Sequence, residues 1–183
     1  MKLFEFRNHS LHISEMAYAL DPFRKIWTRD KTRNKQVAQS ELSYIYFMHD
    51  FRSDFVEQYG TEAERNEAVL ETLGALKPTW KPDKVVKEAI DFYLKHSENI
   101  KMKMVKDVIQ SLHKLRKYFQ TIDFTLLDDN GKPVYDITKY SNVIKDLEKN
   151  MSTLDKMKAL ALKDAKEAEA RGSIEKNVFE DGF

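Results

Sequence analysis

The side chains best suited to catalysis or metal binding are five histidines and thirty acids, because the 183-residue chain has no cysteine. That absence excludes disulfides, thiolate metal sites and a cysteine nucleophile. His9 and His12 stand three apart and could share a metal ion. Zinc needs three or four ligands in tight geometry, and no further His or Cys cluster follows, so they read as surface histidines. His49-Asp50 with Asp54 has the composition of an acid–base pair, since a carboxylate can orient an imidazole. It lies in the most aromatic stretch of the chain, where a hydrogen-bonded histidine in a core helix accounts for it. Asp128-Asp129-Asn130-Gly131 has the composition of a calcium loop without the alternating ligands of an EF-hand, and reads as a turn. Glu62 and Glu64 fall in a helix's first turn, where the dipole favours negative charge. No phosphate-cradling glycine loop, nucleophile elbow or zincin motif occurs. The expectation is a chain that is not an enzyme, with no cofactor, no metal and no small-molecule substrate.

Two basic stretches are more informative. Residues 24–35 hold six bases against one acid, and residues 95–117 hold seven against two, each a local net of +5. Such density can touch phosphate backbones without reading sequence, or meet an acidic partner; the alternative is a solvated face. The candidate contacts are Arg24, Lys25, Arg29, Lys31, Arg33, Lys101, Lys103 and Lys106. Over the whole chain 31 bases meet 30 acids, a net of +1, so the large basic excess of a nucleic-acid coat is missing. Charged residues make up 33% against a typical ~25%, which implies much solvated surface. With 11% aromatics a core is still affordable, so global disorder is excluded. The pairing predicts a thin, elongated helical body, or one completed by neighbours. No apolar run reaches the ~20 residues of a membrane span, and the first residues lack the continuous apolar stretch of a secretion signal.

The elements that must position these residues follow from the punctuation of the chain. Residues 1–20 are apolar without a clean period and predict an N-terminal arm, packed extended on its own body or a neighbour's, with a short helix near 14–20. Asp21-Pro22 reads as an N-cap and a proline at N1. Residues 37–55, with Leu42, Tyr44, Ile45, Tyr46, Phe47, Met48, Phe51 and Phe55, are apolar nearly all round, the mark of a buried central helix. Gly60 stops that segment, and Thr61 with Glu64 forms a capping box for a helix running to Gly74. No Gly or Pro interrupts residues 83–123, which predicts one very long helix or two stacked ones. Residues 124–137 flank Asn130-Gly131 and predict a β-hairpin. A last helix, capped by Thr138 or Ser141, carries a stripe from Tyr140 through Leu147 and Leu154 to Ala168, stepping by 3 and 4 until Gly172. Residues 172–183 then form a tail in which Ile174, Val178, Phe179 and Phe183 punctuate Glu175, Glu180 and Asp181, a candidate hook for a partner. The fold class is mainly α: an elongated helical bundle with one small β-hairpin and extended N- and C-terminal arms. Its divisions are an arm at 1–20, a helical domain at 21–171 and a tail at 172–183.

Residues 21–31, Asp-Pro-Phe-Arg-Lys-Ile-Trp-Thr-Arg-Asp-Lys, and the segment from Lys35 through Glu41-Leu-Ser-Tyr-Ile-Tyr-Phe-Met-His-Asp-Phe-Arg-Ser-Asp-Phe55 resemble small virion proteins of crAss-like tailed phages of gut Bacteroidales. The resemblance covers roughly residues 20–60 in motif and the rest in layout. It implies a structural virion protein: a ring-forming head–tail connector, or neck, subunit joining portal to tail, assembled in the host cytoplasm. Its implied partners are further copies in a homo-oligomeric ring, the portal and other neck or tail proteins, with non-specific contact to packaged DNA and none to a membrane. Some podovirus adaptors hydrolyse cell wall, but no matching catalytic motif is visible here. The alternatives are a capsid-decorating or internal cargo protein, or a phage-encoded cytoplasmic regulator that binds nucleic acid.

Overall fold

The most apolar stretch becomes the centre of the molecule. In the computed structural model, which describes residues 3–7, 10–97 and 100–180, helix α3 (Gln36–His49) buries Ala38, Leu42, Tyr44, Ile45, Tyr46 and Met48. Because these residues point to several sides, two other layers pack on it. On one side lie α2 (Asp21–Arg29) and α6 (Lys84–Ser97), closing a core of Phe23, Ile26, Leu42, Ile45, Val86, Ala89 and Tyr93. On the other lies α5 (Glu62–Leu73), where Val69 and Leu70 meet Tyr44 and Met48, and Trp80 sits edge-on to Tyr44 at 4.8 Å. The short α4 (Asp54–Gln58) turns the chain between α3 and α5.

The chain is mainly helical with one small two-stranded antiparallel sheet, as its pattern predicts, but that sheet is not at residues 124–137. It is formed by β1 (Phe4–Arg7) and β2 (Ser10–Ile13), paired from Phe4 opposite Ile13 to Arg7 opposite Ser10. The period-2 alternation there is only four residues long per strand, too short to stand out in the sequence. Phe4, Leu11 and Ile13 join the core beside Phe23 and Tyr93, so the N-terminal segment packs extended on its own body. Helix α1 (Glu15–Ala19) follows, close to its expected place.

Residues 124–137 do turn at Asn130-Gly131, with Gly131 at φ +73°. Asp128 Oδ1 accepts from the N–H groups of Asn130 (2.9 Å) and Lys132 (2.8 Å). Pairing stops at a single bridge, Leu127 to Pro133: the Leu126 N–H turns back to the Asp123 carbonyl (3.3 Å) and the Lys132 N–H goes to Asp128 Oδ1, so neither donates to the ladder. The uninterrupted run 83–123 resolves into α6 and α7 (Ile100–Gln120). The last helix, α8 (Ile137–Glu180), is capped by Asp136 rather than Thr138 or Ser141, its Oδ1 accepting from the backbone of Thr138 at 2.9 Å. It does not end at Gly172, since a helical glycine costs only about 1 kcal/mol and no proline follows. Asp21 is likewise the first residue of α2, with Leu20 as the N-cap.

Candidate interaction surfaces

Helices α7 and α8 run antiparallel. Lys101 is ion-paired with Asp164 at one end, and the rings of Phe119 and Tyr140 meet at 5.0 Å at the other. Only the half nearer Lys101 builds a core, from Met102, Val105, Ile109, Leu154 and Ala161. Toward the connecting turn the 3- and 4-step stripe is thinly covered, with Tyr140 against Phe119 and Leu147 half-buried. Leu126, Leu127, Val134, Ile137, Ile144 and Met151 are exposed, with Leu127 57% and Ile137 63% accessible. Phe124 packs edge-on to Tyr140 at 4.6 Å, which holds the turn against the helix and leaves its apolar residues outward. The turn thus carries several large apolar side chains left exposed.

The two basic stretches have different fates. In the first, Arg24 and Lys25 both pair with Asp21 (2.8 and 2.9 Å), and Arg29 bridges Glu41 (2.7 Å) and Asp83. Lys31 donates to the Thr28 carbonyl at 3.5 Å, and Arg33 is exposed in the 3-10 turn Arg33–Lys35. Its one acid, Asp30, is buried and turned inward, accepting from Thr32 N (2.7 Å) and Ala38 N (2.8 Å) to cap α3. Three of the six bases are therefore matched by acids, Arg24 and Lys25 by the neighbouring Asp21 and Arg29 by Glu41 and Asp83 from further along the chain.

The second stretch contributes to a cleft of about 440 Å³ bounded by α3, α5 and α7, where Lys103 and Lys106 face His49 and Arg65. Lys101 is turned away to Asp164. Arg65 donates to the carbonyls of Met48 (3.1 Å) and Tyr59 (3.2 Å), while its Nε is buried without a partner. Burial, then the charges of Lys106 and Arg65, push His49 down to about 4, so its imidazole is neutral near pH 7. Arg65 belongs to no motif, and only the packing of α5 against α3 brings it here.

His49 does not pair with Asp50 or Asp54 in an acid–base unit. Asp50 is buried and accepts from Arg52 Nε (2.9 Å), Arg52 Nη2 (2.6 Å) and the Tyr93 hydroxyl. Burial pushes its carboxyl up, but these donors more than offset that and hold it below the usual carboxylate range. Of the expected histidine pair, His9 lies outside the described residues. So does Phe183, and so do the side chains of Ile174, Val178 and Phe179. Among the described residues no group of three or more His, Cys, Asp or Glu could hold a metal, and no helix is long and apolar enough to cross a membrane. No protein-family profile, curated protein or solved structure matches the chain.

Proposed function

We propose that this chain is a structural assembly subunit, and within that class a ring-forming head–tail connector of a tailed-phage virion, placed between portal and tail. The observation that carries the assembly reading is the exposed apolar turn between α7 and α8. Burying each such side chain contributes about 1.5–3 kcal/mol, a gain the isolated chain leaves unused. The finer assignment, to a virion neck, rests on the resemblance of residues 20–60. A ring needs two different surfaces per subunit, since head-to-tail contacts are heterologous. The apolar turn is one, and the charged body, nearly neutral overall, offers the opposite-sign patches that give contacts their register. The local pairing of Arg24, Lys25 and Arg29 argues against the nucleic-acid regulator as the leading alternative.

Native mass spectrometry of the purified chain, with proteomics of purified particles from the encoding phage, tests both levels. A closed oligomer and presence in particles is the expected result. A chain monomeric at every concentration would remove the ring, and absence from particles would remove the virion assignment.

A further inference from the structure

Helices α7 and α8 form a packing unit of their own. Among the described residues, their core of Met102, Val105, Ile109, Leu154 and Ala161 takes one buried side chain from the rest of the chain, Phe51. Polar ties cross the joint between this hairpin and the body. Lys158 pairs with Glu57 (2.7 Å), Lys117 with Glu64 (3.4 Å), and His113 Nε2 hydrogen-bonds the Glu57 carbonyl (2.7 Å). Two openings, of about 440 and about 530 Å³, lie along the seam where α7 faces α3, α4 and α5. Protein interiors leave few such voids, so hairpin and body meet without close packing. Charge nevertheless matches them. Residues 54–73 hold six acids against Arg65, and α7 holds six bases against Asp107, nets of −5 and +5. Opposite charge of this kind selects which surfaces meet, and every copy of the chain carries both.

The connection into the hairpin carries no turn signal. Helix α6 runs toward the C-terminal end of α3, where Tyr93 reaches Asp50, and α7 leads away along α5, with His113 at Glu57 and Lys117 at Glu64. The chain thus changes direction between Ser97 and Ile100, yet residues 83–123 contain neither glycine nor proline to stop a helix there. Straightening that connection joins α6 and α7 into one helix and carries the hairpin away from its own body. We infer that α7–α8 is an exchange arm: in the assembly it docks on the α4–α5 face of a second copy, through the contacts it makes at home. Exchange of an identical element is a low-cost route to association, because no new surface has to become complementary. A short connection without a turn-forming residue favours it. The inference rests on the assembly reading above and names its two surfaces, the arm and the face that receives it. Because these differ, each contact is head-to-tail, the geometry that closes into a ring.

An equal mixture of unlabelled and 15N-labelled chains, unfolded in urea and refolded together, tests the exchange by carbodiimide cross-linking of the oligomer fraction. The reagent joins a carboxylate to an ammonium in direct contact as an amide. Peptides linking Glu57 to Lys158 and Glu64 to Lys117 should occur as mixed-isotope pairs as often as single-isotope ones. The link from Lys101 to Asp164 lies within the arm and should stay single-isotope. A glycine-rich insert after Ser97 gives the arm slack to fold home, so it should convert the oligomer to monomer in sedimentation velocity. Asn99→Ala, which favours an unbroken helix, should shift the balance toward oligomer. An oligomer whose Glu57–Lys158 and Glu64–Lys117 links are all single-isotope overturns the inference and leaves the assembly reading standing. A chain monomeric at every concentration overturns both.

Discussion

Asp50 and His49 are adjacent in the chain, yet one serves the core and the other the cleft. Asp50 ties α6 to the end of α3 through Tyr93, and its charge is held by Arg52. Removing one partner of a buried, hydrogen-bonded pair leaves the other uncompensated. Asp50→Ala should therefore cost about 3–5 kcal/mol in urea denaturation, and Tyr93→Phe, which removes one donor, about 1–2 kcal/mol. His49 gives a pH signature. Its ordinary value is 6.5 and its value in the fold about 4, so between these the unfolded chain binds more protons. Its contribution is complete above about pH 6.5, declines as pH falls toward 4, and is wholly lost below that. It amounts to up to about 3 kcal/mol. Denaturation midpoints from pH 7 to pH 4 should fall in the wild type and flatten in His49→Gln. A parallel decline in both would assign the effect to other groups.

At the scale of elements, α3 and the α4–α5 turn are where packing is least forgiving. Ile45 is fully buried, and Ile45→Ala should cost about 2–5 kcal/mol, measured by thermal melt. Phe47, equally apolar in the sequence, is only partly buried between Tyr46 and Phe55, so its truncation should cost less. The segment is apolar nearly all round, but α3 is covered on two sides and not around its whole circumference, which leaves Phe47 half-buried. Gly60 works differently. A Cβ there would stand 2.8 Å from the Cβ of His113 on α7, whose Nε2 donates to the Glu57 carbonyl at 2.7 Å. Gly60→Ala must push the turn and α7 apart, an overpacking cost of about 1–3 kcal/mol that should appear as a lowered melting temperature. An unchanged melt would show that the two elements can separate freely.

For the whole molecule, the decisive question is which surfaces are spare. Leu127→Glu with Ile137→Glu, both exposed, should leave the melting temperature within a degree or two while shifting the chain toward monomer in sedimentation velocity. A large loss of stability would place the turn in the fold instead. Deleting residues 173–183 should likewise spare the melt, because among the described side chains of α8 the buried ones are Leu154 and Ala161, which the deletion leaves in place. That truncation should nevertheless weaken self-association.

The sequence by itself determined the helical class, the central position of residues 37–55, the Thr61–Glu64 capping box and the Asn130-Gly131 turn. Each depends on local spacing: a period, a cap, or a glycine able to take positive φ. Only the tertiary structure decided the rest. It placed the paired strands at residues 4–13, where Phe4, Leu11 and Ile13 join the core, while at 124–137 the Leu126 and Lys132 N–H groups are taken by Asp123 and Asp128 and pairing stops at one bridge. It matched Arg29 to Glu41 and Asp83 and set Arg65 beside Lys103 and Lys106, whereas the pairs of Arg24 and Lys25 with Asp21 are one helical turn long. Whether a charge is spent or spare depends on which residues far along the chain arrive next to it. Helix packing sets that, and local spacing does not record it.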